Sequence, residues 1–369
     1  MSNKKKRFFS LRLLMHFFAL LTSIALLLSY VSVYIPPKTL WILPLFGLVY
    51  PVLLVLTLLF LVYFTLGRSK WFLLPLLVLL LGGKLHLRYI NFGWGQTETV
   101  TENSLKVMSY NVRLFDFYLS SQANDYANKD SIMNFIKTEN PDVLCLQEYF
   151  YTDGNTPFNT KKTLTKILGS KEYHERVRFQ QNKKRNFGVS IFSKYPIISK
   201  GEVSFPASAT NYCIYADIKV KQDTLRIYNT HLQSVKIKDE DVNFNLEDDE
   251  ETNLLRLKTT VRKLKEAYPA RTEQAVLILN HAAASPYPVV ICGDFNDPPI
   301  SHTYNLFNKV YTDAFRNAGK GLGRSYAGKL PAGRIDYIWH DTKLGSQHFK
   351  VQEQAFSDHY AISTQITLP

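Results

Sequence analysis

No acidic residue occurs before Glu98. The same stretch carries ten basic residues: Lys4, Lys5, Lys6, Arg7, Arg12, Lys38, Arg68, Lys70, Lys84 and Arg88. Of the 44 Lys and Arg, taking away those ten leaves 34 against 31 Asp and Glu, so the net charge of +13 falls to +3 over the remainder. A broad basic face for nucleic acid is therefore not what the total charge reports; the excess sits at the flanks of apolar runs, where it sets membrane orientation. Cysteine is scarce as well. Cys145, Cys213 and Cys292 stand singly, with no CxxC or Cys/His spacing. That excludes a disulfide framework and a zinc site, and leaves three small residues in apolar, strand-like runs. An acidic stretch over residues 239–251 has no internal glycine, which excludes a calcium loop and reads as a solvated segment before a helix.

Long apolar runs are what the N-terminal quarter has instead. Residues 11–35 are apolar apart from Arg12, His16 and a few hydroxyl residues, long enough to cross a bilayer core of about 30 Å. Pro36-Pro37-Lys38 interrupts the pattern; a second run covers 40–66, and a third, of marginal length, covers 71–83. A signal peptide shares the basic start, but the first stretch is long, lacks a small-residue cleavage site and is followed by two more apolar runs. About three membrane helices over residues 1–90 are expected. Lys4–Arg7 and Arg68/Lys70 mark the cytosolic side. If the third run spans, with Lys84 and Arg88 snorkelling outward near Trp94, the C-terminal domain lies on the non-cytosolic side.

Residues 91–104 read as a polar linker and 105–369 as the catalytic domain. There, strand candidates fall at 105–111, 143–147, 188–193, 212–219, 224–231, 289–292, 334–339 and 361–366. Helical patterns fall at 130–139, 161–168, 252–267, 271–284 and 302–307. Many strands with fewer helices suggest layered sheets with helices outside.

Five strand candidates end in, or adjoin, polar residues. They lead into Asn111, Gln147-Glu148, His231 and Gly293-Asp294-Phe295-Asn296, and Ser357-Asp358-His359 precedes the last strand. A strand end presents its side chains to a cleft while the apolar body holds them rigid. Singly each has an ordinary explanation: an Asx turn for Asp294-x-Asn296, a helix cap for Asn111, a structural role for His231. Together they supply acids, amides and histidines without an evident nucleophile, an inventory suited to direct attack of water on phosphorus. Glu148 can hold a hard divalent cation, Mg²⁺ or alternatively Mn²⁺, which neutralises a phosphate oxygen and the leaving group. Asp294 can orient or deprotonate the water, Asn111 and Asn296 can donate hydrogen bonds, and Asp336 can partner His359.

These segments resemble the endonuclease/exonuclease/phosphatase superfamily, which includes deoxyribonuclease I, AP endonucleases, neutral sphingomyelinases and inositol-polyphosphate 5-phosphatases. Seven matches occur in order: Ser109-Tyr110-Asn111-Val112, Leu146-Gln147-Glu148, Gly188–Lys194, Asn229-Thr230-His231-Leu232, Gly293-Asp294-Phe295-Asn296, Arg334-Ile335-Asp336-Tyr337-Ile338 and Ser357-Asp358-His359. The resemblance implies a four-layered α/β sandwich. It implies Glu148 as the principal metal ligand with Asn111 and Asp358 beside it, and Asp294 and Asn296 positioning water and phosphate. His231 and His359 would contact the scissile phosphate, and Asp336 would orient His359. Arg113, with Asn296 and His231, would bind substrate. Arg113 and His231 stand where AP endonucleases have an acidic residue and Tyr, which counts against abasic-site repair. Lys183-Lys184-Arg185 is a candidate basic patch at the cleft rim, or an ordinary solvated turn.

The expected protein is thus a hydrolase of a bacterial inner membrane, anchored in the lipid bilayer by its N-terminal helices. Its substrate is a phosphodiester: nucleic acid under a nuclease reading, or a phospholipid head group under a sphingomyelinase-like or phosphoinositide phosphatase-like one. A binding module that has lost catalysis would need neither a metal ligand nor two histidines.

Overall fold

Period-two burial along the inner strands decides the architecture. In the computed structural model, which describes residues 3–93, 103–118, 120, 125–180, 185–205, 211–235, 249–328 and 333–368, Val143 and Cys145 face one way and Leu144 and Leu146 the other. Both faces of these strands are apolar, so each sheet must be covered twice. The strands are β1 (Ser104–Asn111), β2 (Val143–Thr152), β3 (Glu172–Gln180), β4 (Arg185–Ser193), β5 (Ile197–Val203), β6 (Tyr212–Val220), β7 (Asp223–His231), β8 (Val289–Asp294), β9 (Thr312–Asp313), β10 (Asp336–His340), β11 (Gly345–Val351) and β12 (Ile362–Thr367). They form two six-stranded mixed sheets among the described residues, ordered β11-β12-β1-β2-β4-β3 and β5-β6-β7-β8-β10-β9.

Leu105, Val107, Cys145 and Ile191 of the first sheet meet Ile214, Ile227, Cys292 and Ile338 of the second in a core between them. Each fully buried aliphatic side chain of this kind contributes roughly 1.5–3 kcal/mol. The outer face of the first sheet is covered by α6 (Ala127–Glu139) and α7 (Thr160–Leu168). That of the second is covered by α8 (Glu250–Ala283) and α9 (His302–Asn308); α10 (Ala314–Ala318) abuts β10 and β11. The result is the expected four-layered sandwich. All three cysteines are free and buried.

Two helices expected at 252–267 and 271–284 are one. α8 runs through Pro269, although an interior proline costs about 3 kcal/mol. Buried Leu264, Ala267, Tyr268, Arg271, Ala275, Ile278 and Ala282 continue one face past the proline, and their packing outweighs the lost hydrogen bond. Asp249 caps its first turn, its carboxylate accepting from Thr252 N at 2.6 Å. The acidic run before Asp249, and Lys183 with Lys184, lie outside the described residues.

Before the sheets come α1 (Asn3–Ser32), α2 (Leu43–Leu48), α3 (Tyr50–Leu66), α4 (Leu73–Leu81) and α5 (Gly83–Tyr89). Leu11–Ser32 is long and apolar enough to cross a membrane. The stretch Lys70–Leu81 passes that test only together with Gly83–Tyr89, across a 65° bend. Arg88 does not snorkel as expected: it is buried and donates to Asn305 at 2.8 Å, while Arg334 donates to the Arg88 carbonyl at 2.7 Å. The two ends of the 91–104 segment are tied to the sandwich. Asn91 exchanges backbone hydrogen bonds with Gly321 at 2.9 and 2.8 Å, and Ser104 opens β1. Ile300 packs with Leu26, Val33, Tyr50 and Leu85, so the helices are docked on the sandwich through apolar and buried polar contacts.

Candidate active site

Strand register brings the polar ends together. β1 and β2 run parallel with Asn111 opposite Gln147; β7 and β8 run parallel with His231 opposite Asp294; antiparallel β10 sets Asp336 opposite Asp294. The two parallel pairs, one per sheet, thus end at the same edge of the sandwich. Gln147 and Asn229 brace that edge from within: Gln147 Nε2 donates to Asn229 Oδ1 at 2.6 Å, and Asn229 Nδ2 to the Leu146 and Ser190 carbonyls at 2.9 and 2.8 Å.

Local backbone distortion aims the side chains. Glu148 has φ 47°, at the point where the β2–β4 register shifts between Leu146 and Tyr149. Such a bulge re-aims one side chain out of the sheet. Asn296 has φ 54°, which Asn tolerates better than most residues. Gly293 has φ 147°, and a Cβ there would lie 1.9 Å from the Thr230 carbonyl oxygen. Gly293→Ala should therefore destabilise the fold by about 1–3 kcal/mol or more, read as a lowered thermal midpoint. After Asn111, Arg113 to Asp116 are four consecutive residues with φ between 45° and 57°, strain held in place by buried Phe115.

Asp294 is fully buried at the centre. Its Oδ1 accepts from Asn296 N at 2.8 Å and its Oδ2 from Asn111 Nδ2 at 3.1 Å. The Nε2 atoms of His231 and His359 stand 3.6 and 3.7 Å from that Oδ2. His359 Nδ1 donates to Asp336 Oδ2 at 2.9 Å, which fixes the ring with Nε2 turned toward Asp294. Ser325 Oγ accepts from the backbone N–H groups of Ile335 and Asp336, both at 3.0 Å, holding the start of β10.

Burial pushes the Asp336 carboxyl up to about 6, with His359 opposing the rise. Burial disfavours the imidazolium of His359, but the Asp336 and Asp294 carboxylates outweigh it and raise its pKa to about 10. The two carboxylates thus favour the imidazolium form of His359.

A cleft of about 210 Å³ is lined by Glu148, His231, Asp294, Asn296, Asp358 and His359 together. Asn111 lies behind Asp294, its Oδ1 accepting from Arg113 N at 3.1 Å. Asp336 lies behind His359. Arg113 is half exposed at the edge, its Nε 3.8 Å from Asp358 Oδ2. Sequence reasoning missed Ser325, Arg271, Tyr268 and Leu48. The last three line the cleft from a long helix and from the N-terminal region, where no local signal marks them.

Asp294, Asp336 and His359 offer ligand atoms within 4.8 Å of one another. His359 Nδ1 and Asp336 Oδ2 are already hydrogen-bonded to each other at 2.9 Å, however, and the neighbouring carboxylates favour the imidazolium, which does not ligate a cation. Glu148 is the better ligand: partly buried in the cleft, it has no hydrogen-bond or ion-pair partner among the described residues. With Asp358 in the same cleft it makes an oxygen donor set of the kind hard divalent cations take.

A family model described as the endonuclease/exonuclease/phosphatase family matches residues 108–359, and one for a domain of unknown function matches residues 11–89. No curated protein matches. Among solved structures, an endonuclease/exonuclease/phosphatase from Beutenbergia cavernae is similar with a TM-score of 0.51 and 15% identity, over 72% of each chain. A family protein from Bacteroides thetaiotaomicron has TM-score 0.51 and 15% identity over 73% of this chain and 100% of that one. A mannosyl-6-phosphatase of the same organism has TM-score 0.50 and 15% identity over 72% and 100%. At such identities the likeness bears on the fold.

Proposed function

The chain belongs to the endonuclease/exonuclease/phosphatase family, and from that premise we propose a membrane-anchored, divalent-metal-dependent phosphoesterase that hydrolyses phosphodiester bonds with water. The observation that carries this reading is buried Asp294, held by Asn111 and Asn296 and faced by both histidines. A carboxylate so fixed, and able to accept a proton, orients a water and takes its proton. His231 and His359 supply N–H donors where charge builds on the phosphate oxygens, and Asp336 keeps His359 in its donor form. Asn296 adds an amide, and Arg113 a cation at the rim.

Glu148, with Asp358, would hold Mg²⁺ or Mn²⁺, while Asn111, expected beside the metal, instead lies behind Asp294 and holds that carboxylate. When bound, the ion supplies charge neutralisation at the phosphate and the leaving oxygen. The test is hydrolysis of bis(p-nitrophenyl) phosphate by the full chain: activity expected with Mg²⁺ or Mn²⁺, lost in EDTA and restored by either ion. Activity that persists in EDTA would overturn the metal assignment. Asp336→Asn should lower kcat about 10²–10⁴-fold with little change in KM, since it acts through the orientation of His359.

The anchor is supported by exposed apolar surface. Leu13, Phe17, Leu21, Val55, Leu59, Leu66 and Leu81 are between 52% and 80% exposed, an accumulation of large apolar side chains at the surface that suits a lipid environment. Leu11–Ser32 spans about 33 Å as a helix. The division we propose is a membrane region over 1–90, a short connection over 91–104 and a catalytic domain over 105–369. The connections of α1, α3 and α4 place Arg68 and Lys70 at the end remote from the sandwich, which supports a catalytic domain on the non-cytosolic side. Alkaline phosphatase fused after Pro369 should be active; inactivity would reverse the orientation.

A further inference from the structure

The N-terminal region reaches the reacting cleft. Leu48, the last residue of α2, lines it together with Glu148, Asp294 and His359. Leu264 and Tyr268, one turn apart on α8, line the same cleft, as does Pro298. Arg271, a further α8 residue there, is committed through Nε to the Gln233 carbonyl at 2.7 Å and through Nη1 to Asp297 at 3.1 Å.

Leu48 is seated by the contact of α2 with the segment that follows Asn296. Gly47 packs so closely there that a Cβ would lie 2.2 Å from the Ile300 carbonyl oxygen and 3.1 Å from Ser32 Oγ. Ile300 is fully buried among Leu26, Val33, Tyr50 and Leu85 of the N-terminal region. His302 Nδ1 donates to the Val33 carbonyl at 3.2 Å. From the sandwich side, Tyr337 OH donates to the Asp297 carbonyl at 2.8 Å. The stretch Asp297–His302, which continues directly from Asp294 and Asn296, is thus gripped between the sandwich and the N-terminal helices.

A tether needs none of this, because a flexible connection alone would hold a domain near a bilayer. Here the N-terminal region presents a half-buried leucine to the site where the substrate must lie. The cleft, at about 210 Å³, is also small beside the roughly 300–1,000 Å³ of most ligand pockets, so one wall side chain can decide which ester group fits.

We propose that the N-terminal region forms one wall of the substrate site, and that Leu48 is a specificity-determining residue. An apolar ester group of the substrate packs against Leu48, Leu264, Tyr268 and Pro298, while its phosphate faces Asp294 and the two histidines. This rests on the phosphoesterase reading above, and it holds whichever side of a membrane the catalytic domain occupies.

The test uses two phosphodiester anions that differ only in their ester groups, diphenyl phosphate and dimethyl phosphate. Their binding to the full chain with Mg²⁺ is measured by calorimetry. The parent should bind diphenyl phosphate more tightly. Leu48→Ala should weaken diphenyl phosphate about tenfold or more and leave dimethyl phosphate within about twofold, since each methylene lost from an apolar pocket is worth tenfold or more in discrimination. Leu48→Met, of similar volume, should keep both affinities. In hydrolysis of bis(p-nitrophenyl) phosphate, Leu48→Ala should raise KM about tenfold and change kcat little.

A merely structural role would weaken both anions alike. That result, parental diphenyl phosphate affinity in Leu48→Ala, or a parent that does not prefer diphenyl phosphate, overturns the assignment of Leu48 and leaves the phosphoesterase reading standing. A parent that binds neither anion and does not hydrolyse bis(p-nitrophenyl) phosphate overturns that reading, and this inference with it.

Discussion

Asp294→Asn should fold yet hydrolyse bis(p-nitrophenyl) phosphate about 10²–10⁴-fold more slowly than the parent, with KM little changed. Two effects act together. An amide cannot take a proton from water, so the general base is lost. An amide also has one acceptor oxygen where Asp294 presents two: Asn296 N–H at 2.8 Å and the Asn111 amide at 3.1 Å both need an acceptor, so one donor will face the new NH₂ group. Leaving a buried donor unsatisfied costs about 1–3 kcal/mol, so a lowered thermal midpoint should accompany the loss of activity. Retention of a tenth or more of parental kcat would remove Asp294 from the role of base.

Glu148→Gln should separate activity from stability altogether. Glu148 has no partner among the described residues, and Gln preserves its shape at φ 47°. Unfolding free energy should stay within about 0.5 kcal/mol of the parent, as for an ordinary surface change. The Mn²⁺ concentration for half-maximal binding, read by loss of the free-ion electron-resonance signal, should rise by about 100-fold or more, at least the cost of losing an outer partner of a metal ligand. Activity at saturating parental metal should disappear with it. Parental Mn²⁺ binding in this variant would move the metal to the alternative cluster of Asp294, Asp336 and His359.

The strands legible in the sequence are the inner ones of both sheets: β12, β1, β2 and β4 in one, β6, β7, β8 and β10 in the other. The four that local pattern did not reveal, β3, β5, β9 and β11, are the sheet edges. The reason is physical. An inner strand is covered on both faces and needs near-continuous apolar residues, whereas an edge strand such as β3, with Glu172, His174, Glu175 and Arg176, is kept polar against pairing with other chains. Pro269 misled in the opposite way, because its local penalty is visible in the sequence and the packing that overrides it is not.

At the proposed reacting centre, Gly293-Asp294-Phe295-Asn296 and Ser357-Asp358-His359 were readable because residues at or beside strand ends follow from local pattern. By itself the sequence determined the residue types, their order and their places at strand ends. It also determined the apolar N-terminal runs and their charge asymmetry. Only the tertiary structure decided that the parallel pairs β1/β2 and β7/β8 end at one edge, and that a bulge turns Glu148 into the cleft. Only it set Leu48 and α8 in the cleft wall, and turned Arg88 inward onto Asn305. Such contacts join residues far apart in the chain, 217 positions for Arg88 and Asn305. No window of sequence encodes them, because they depend on how sheets and helices stack and not on the propensity of any one segment.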